Sequence, residues 1–321
     1  MSAIPTTRTG SQTFHEINAQ VQAEAEAGRR KARRKHLWKS LAANVAVLLF
    51  LLFAVFPLYF VVTASFRPGQ SLYSTSLEFF PSHPSLENWT YMFTQTKLLL
   101  WMWNSLQVAG LTTVASVLLC TTAAYAFSRW RFLGRDTILT LMLAINAFPG
   151  VLALIGVFVI FKEMRIQFDV AGQHIDLRAL GSLWGLVLAY TAGQLIFSTW
   201  NLKGFFDTIP VDLEEAARVD GATPTQAFIR VMLPLARPAL AVTALLGFMG
   251  GWGEYITAQT LLFDESKYTV AVGLIGLQDN YRQPWGWFAV GAICMSVPVT
   301  LLFLALQKQL QAGLTLGGVK G

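Results

Sequence analysis

The chain alternates between long uncharged runs and short polar segments that carry nearly all of its charge. After a polar start, apolar stretches occupy about residues 40–66, 98–128, 137–161, 179–202, 238–263 and 285–307, the fifth interrupted only by Glu254. Each exceeds the ~20 residues that a helix needs to cross a hydrocarbon core. In lipid every backbone N–H and C=O must be satisfied within the structure, so such runs predict helices. The pattern therefore predicts an all-α polytopic membrane protein with six transmembrane helices. Its parts are a basic arm over 1–36, a six-span domain over 37–307 containing a long polar loop at 203–237, and a tail over 308–321.

Composition agrees with this class. The 321 residues are 54% hydrophobic and 13% charged, against about 25% charged in a soluble domain. Cys120 and Cys294 both fall inside apolar runs, where small apolar packing is a better reading than a disulfide framework.

The net charge of +6 raises the question of nucleic acid, but the basic residues gather at one end and in short loops. That distribution sets topology and meets anionic headgroups. Assigning alternate loops to alternate sides puts 17 lysines and arginines with the termini and 7 on the other side. The richer side faces the cytoplasm, so both termini and the 203–237 loop are expected inside. The arm holds Arg29, Arg30, Lys31, Arg33, Arg34 and Lys35 after a tail expected to be disordered over 1–12. The apolar run that follows is too long for a signal-peptide core, so cleavage is not expected.

The longest polar interruption in the back half carries its own start and stop signals. Asp212 and Glu215 have capping-box spacing, predicting a helix from about Leu213. Gly221 supplies the positive φ that ends it. Thr223, Pro224 and Gln226 restart a second helix, with Thr223 as the cap and Pro224 in the first turn. Pro234 and Pro238 are expected to end that one. The product is a compact helix, turn, helix unit between two spans.

Catalytic signatures are missing elsewhere. No lysine sits in G-x-x-x-x-G-K-[ST], no serine in G-x-S-x-G, and His15, His36, His83 and His174 lack metal-ligand spacing. Glu254 is the intramembrane acid, roughly 24 Å along its helix from Pro238. It must face a cavity, a partner or the outer interface, in a structural or gating role or in contact with substrate. Pro57, Pro149 and Pro298 would kink their spans. Trp101, Trp103, Trp285 and Trp287 read as interfacial anchors rather than sugar-stacking rings. Asn88-Trp89-Thr90 matches a glycosylation sequon, a pattern short enough to arise by chance.

Glu215-Ala216-Ala217, three residues, Gly221, nine residues, then Val231-Met232-Leu233-Pro234 resembles the E-A-A-x3-G-x9-I-x-L-P loop of binding-protein-dependent ABC importer permeases, with valine in the isoleucine place. A narrower resemblance, to the smaller permease subunits of maltose/maltodextrin importers, covers the chain from about Leu37 to its end. It rests on Trp103-Asn104-Ser105-Leu106, Ala123-Ala124-Tyr125-Ala126-Phe127 with Arg129, Phe148-Pro149, Lys203-Gly204-Phe205-Phe206, Asp220-Gly221-Ala222-Thr223-Pro224 and the tail Gly313 to Gly321.

The resemblance implies the type I importer permease fold in a bacterial inner membrane. It also implies a second, larger permease subunit, an ATPase subunit dimer and an extracytoplasmic sugar-binding protein as partners. ATP and Mg would be held by the ATPase, no cofactor would be bound by this chain, and the chain itself would not be an enzyme. Glu215, Ala216, Ala217, Gly221, Phe228, Val231, Leu233 and Pro234 are implied at the ATPase contact, with Phe228 the candidate anchor. Glu215 has two readings, a helix cap or a partner for a basic ATPase residue. The tail residues Gly317, Gly318, Val319 and Lys320 would reach the ATPase. The loop with Gly276, Leu277, Gln278, Asp279, Asn280 and Tyr281 would meet the binding protein. The long basic arm and the divergent 279–284 segment depart from the family pattern, which leaves a permease for another oligosaccharide as an alternative. A stand-alone secondary transporter would need several buried ionisable residues where Glu254 stands alone, and a membrane enzyme lacks an acid, base and nucleophile set.

Overall fold

A computed structural model describes residues 38–69, 80–170, 173–278 and 284–318. The basic arm, Asp279, Asn280, Tyr281, Val319 and Lys320 lie outside the described residues. The chain divides into two compact units, Met1–Phe60 and Val61–Gly321. The first holds most of α1 (Trp38–Ser65), whose mean hydropathy of 2.9 and outward Phe50 and Phe53 suit a lipid-facing helix.

In the second unit, α2 (Glu87–Thr94) precedes the long α3 (Leu98–Arg129). Then come α4 (Arg135–Asn146), α5 (Gly150–Glu163), strands β1 (Arg165–Val170) and β2 (Gln173–Arg178), and α6 (Leu183–Thr208). Helices α7 (Asp212–Val219), α8 (Pro224–Ala227) and α9 (Leu233–Leu235) follow, the last two joined by a π-helical turn at Phe228–Met232. Finally α10 (Arg237–Trp252), α11 (Ile256–Leu261), α12 (Val270–Ile275) and α13 (Trp285–Gly318) complete the chain.

Six uninterrupted apolar spans are not seen among the described residues. Among the described residues three helices are long and apolar enough to cross a membrane, α1, α3 and α13, or five if each of two bent pairs is one span. The expected 137–161 span is α4 and α5, bent by 102°. Pro149, with ψ 116°, enters α5 extended, and the residue before a proline, here Phe148, is disfavoured in helical geometry. The expected 238–263 span ends as a continuous helix at Trp252, and a 75° bend precedes it at Ala236. Helix α6 has 26 residues and carries the polar Thr191, Ser198 and Thr199. All three are buried, because α6 packs against α3 and α10 rather than facing lipid.

Helices in lipid gain little from hydrophobic association, so close approach and dispersion hold them together. Gly247 and Gly251, four residues apart on α10, supply that approach. A Cβ on Gly251 would stand 3.2 Å from the Ala109 Cα, and one on Gly247 3.6 Å from the Thr113 Cα.

The all-α expectation also needs one correction. Residues 165–170 and 173–178 pair antiparallel, from Arg165 opposite Arg178 to Val170 opposite Gln173. The alternation of polar and apolar positions over 165–170 and 174–178 is strand periodicity and is present in the sequence. The sequon asparagine is buried at the start of α2, donating to the Arg67 carbonyl at 2.9 Å, which removes it as a glycan acceptor. Trp101 is likewise buried and donates to the Glu265 carbonyl, so it is no interfacial anchor, while Trp287 is half-buried and stacks on Tyr91 at 3.9 Å. Pro57 and Pro298 sit inside helices, and α13 continues beyond the expected end at 307.

Candidate functional site

The polar segment between α6 and α10 folds as a helix, turn, helix unit, though not by all the expected caps. Helix α7 begins at Asp212, one residue early, and no side chain caps it. Val211 already has helical angles, and its carbonyl accepts the N–H groups of Glu214 and Glu215 at 2.9 and 3.1 Å. Asp212 is thereby drawn into the helix, where a cap position is no longer open to it. The three carboxylates of the first turn still favour the positive end of the helix dipole.

At the far end Gly221 takes φ +89°. Its N–H bonds the Arg218 carbonyl at 3.0 Å and the Ala222 N–H bonds the Ala217 carbonyl at 2.9 Å, the paired closure of a Schellman turn. The Thr223 box forms as expected. The Gln226 main-chain N–H donates to the Thr223 hydroxyl at 3.2 Å, and the Thr223 main-chain N–H to the Gln226 side-chain amide oxygen at 2.9 Å.

Pro234 does not stop the second helix. A proline within a helix clashes with the carbonyl four residues back. Here the ladder widens into the π turn, with Leu233 bonding back to Phe228, and the chain turns only at Ala236.

The unit's sides differ. Glu215 and Ala216 are exposed, and Ala217, Val231, Leu233 and Pro234 are half-buried. Phe228, the candidate anchor, points inward: its ring lies 4.4 Å from that of Tyr125, against a cluster containing Leu202, Phe206 and Met232. The apolar side chains that face outward most are Val219, 87% exposed, and Ile229, 54% exposed, with Leu213 and Leu235 exposed to a lesser degree.

The residue that sequence reasoning missed is Glu214, the neighbour of the motif glutamate. It is 3% exposed. The Arg129 guanidinium donates to one carboxylate oxygen and the Tyr125 hydroxyl to the other at 2.7 Å. Arg129 also donates to the Ile209 carbonyl at 2.9 Å and approaches the Met232 sulfur at 3.7 Å. Removing one partner of such a buried pair strands the other charge, typically at about 3–5 kcal/mol.

Glu254 occupies the break between α10 and α11. Its carboxylate accepts the N–H of Thr257 at 2.9 Å and of Ala258 at 3.2 Å, so it closes the N-terminus of α11. The Tyr190 hydroxyl donates to it at 2.5 Å. Beside it lies a mainly apolar cavity of about 610 Å³ between α5, α6 and α10, with Tyr190, Gln194 and Glu254 in its wall.

The segment after α11 is fastened to the start of α3. Asn104 donates to the Ser266 and Tyr268 carbonyls at 2.9 and 3.0 Å, and the Ser105 hydroxyl accepts the Val270 N–H at 2.8 Å. Asp264 accepts the Ser266 N–H, and that bond, with Lys267 nearby, holds its carboxyl below the usual range. Gly276 closes α12, and Leu277 and Gln278 turn back onto Leu274 and Ile275. Gly317 and Gly318 end α13 as helix.

Comparison with known proteins agrees with this geometry. The fold is similar to a solved bacterial ABC transporter involved in the import of the acidic polysaccharide alginate, with TM-score 0.66 and 21% identity over 95% of this chain and 99% of that one. The sequence is 41% identical over 304 residues to the maltose/maltodextrin transport system permease protein MalG of Vibrio vulnificus (strain YJ016), covering 91% of this chain and 98% of the relative. It is 38% identical over 271 residues to the galactooligosaccharides transport system permease protein GanQ of Bacillus subtilis (strain 168), covering 83% and 90%. Residues 116–315, which contain the whole α7–α9 unit, match the binding-protein-dependent transport system inner membrane component, and the chain belongs to that family.

Proposed function

We propose that the chain is the smaller membrane subunit of an ATP-driven importer of maltose or maltodextrins. The observation that carries this is 41% identity to a maltose/maltodextrin permease along nearly the full length of both chains. The chain would be no enzyme: ATP and Mg would be held by a pair of MalK-type ATPase subunits. A larger MalF-type permease would form the other half of the pathway, and an extracytoplasmic binding protein would deliver the sugar.

In this reading α6, the bent α4–α5 pair and α10 supply the spans beyond α1, α3 and α13, giving six in the bacterial inner membrane with both termini in the cytoplasm. The α7–α9 unit then faces the ATPase, with Glu215, Ala216, Ala217 and Gly221 in the contact. Two features support that role. The unit is closed at its turn by bonds of its own, and it presents Val219 and Ile229 to the outside.

The galactooligosaccharide relative supports a second reading, another neutral oligosaccharide as cargo. Uptake of labelled maltose, maltotriose and galactooligosaccharides by cells lacking the chain, then complemented with it, separates the two. Complementation that needs no ATPase gene would sink both and favour a secondary transporter.

A further inference from the structure

Helix α3 is held at both ends by buried polar contacts. At Arg129 and Tyr125 it grips Glu214 of α7, one donor on each carboxylate oxygen, with ion-pair side chains only 10% and 4% exposed. At Trp101, Asn104 and Ser105 it grips the 264–278 segment through four hydrogen bonds to main-chain groups at Glu265, Ser266, Tyr268 and Val270. That second grip is also close-packed: a Cβ on Gly273 of α12 would stand 2.2 Å from the Trp101 ring. Between the two grips α3 is one unbroken helix of 32 residues, about 48 Å long.

We infer that α3 is a strut through which movement of the ATPase-facing helix reaches the outer segment that faces the binding protein, with Glu214 and Asn104 as its positioning residues. This rests on the proposed assignment of the two faces. The physical reason is that α7 is joined to α3 at one buried carboxylate by two donors on that single helix, its other main contacts being with the neighbouring α8 and π turn. Ordinary chain linkage at Ile209–Val211 leaves α7 free to swivel; the Glu214 contact does not. A load on α7 therefore moves the end of α3, and a continuous, laterally packed helix transmits displacement along its axis because packed interiors compress little.

The test is a double-mutant cycle on the reconstituted complex, with Glu214→Gln and Asn104→Ala, reading stimulation of ATP hydrolysis by maltose-loaded binding protein. ATPase co-purifying with the permease is measured alongside. Each single variant is expected to lower stimulation about tenfold, with ATPase still bound, and the double variant to lower it by about the same factor, since both interrupt one path. Wild-type stimulation in either single variant overturns the inference, as does a multiplicative loss of about a hundredfold in the double. A loss that merely tracks missing ATPase overturns it too, because Glu214 would then only shape the docking face. Tyr125→Phe removes one donor and leaves the charge pair intact, so it replaces Glu214→Gln in the cycle if that variant fails to assemble. A wild-type complex that holds no ATPase would instead sink the underlying importer reading.

Discussion

The Tyr190 hydroxyl donates to the Glu254 carboxylate at 2.5 Å while that carboxylate accepts the Thr257 and Ala258 N–H groups. Glu254 is thus occupied in joining α6 to the start of α11. Glu254→Ala is expected to lower stability by about 0.5–2 kcal/mol, the range for losing a helix cap. Glu254→Gln keeps one acceptor oxygen and should fall between. Thermal unfolding of the purified protein in detergent measures the order wild type, Gln, Ala; equal melting temperatures would remove the cap from the account.

Gly221 gives a different test, because the strain there is purely in the backbone. At φ +89° an added Cβ meets nothing within 4 Å. Alanine should therefore cost about 1–2 kcal/mol through the left-handed conformation alone, asparagine less, and valine most. Transport per assembled complex is expected to fall in the order Gly, Asn, Ala, Val while the amount of permease in the membrane stays near wild type. Normal transport by Gly221→Val would show that the turn between α7 and α8 has no part in coupling.

At Gly273 the limit is space. An alanine there would overlap the Trp101 ring, and overpacking a filled site costs about 1–3 kcal/mol. Gly273→Ala should reduce the folded fraction in a thermal scan, and adding Trp101→Leu should restore part of it. If the double variant is no better than the single one, the clash is not the cause.

What could be read in advance follows the range of the interactions. The Thr223 box involves residues three apart, and it forms as spaced. Asp212 and Glu215 have the same spacing, but Val211 adopts helical angles after Pro210 and moves the helix start past the cap. Glu214 looked like any other acid of a polar helix, since its partners Arg129 and Tyr125 are 85 and 89 residues away. The interruption at Phe148-Pro149 was visible as a proline, yet hydropathy averages over it and registers one span. Residues 165–178 show strand alternation, but no short-range rule weighs that against a chain otherwise made of helices. Local caps and apolar runs are therefore legible, while the residues that join one element to another are not.

The outward and inward apolar residues of the α7–α9 unit make opposite predictions. Val219 is 87% exposed at the end of α7 and Ile229 is 54% exposed in the π turn, so neither has much packing within this chain to lose. Surface substitutions of this kind usually change stability by less than about 0.5 kcal/mol. Val219→Asp and Ile229→Asp should therefore leave the thermal transition of the isolated permease nearly unchanged. They should nonetheless strip the ATPase from the purified complex, because a charge in a desolvated contact has no water and no partner. Phe228 lies against Tyr125 in the buried cluster. Phe228→Ala opens a cavity there and should destabilise the permease itself by about 3–5 kcal/mol, with ATPase retention per folded molecule less affected. Measuring melting temperature and retained ATPase on the same three variants separates the docking face from the core beneath it. If Phe228→Ala releases the ATPase without lowering the melting temperature while Val219→Asp does not, the inward ring is the anchor and the face has been assigned backwards.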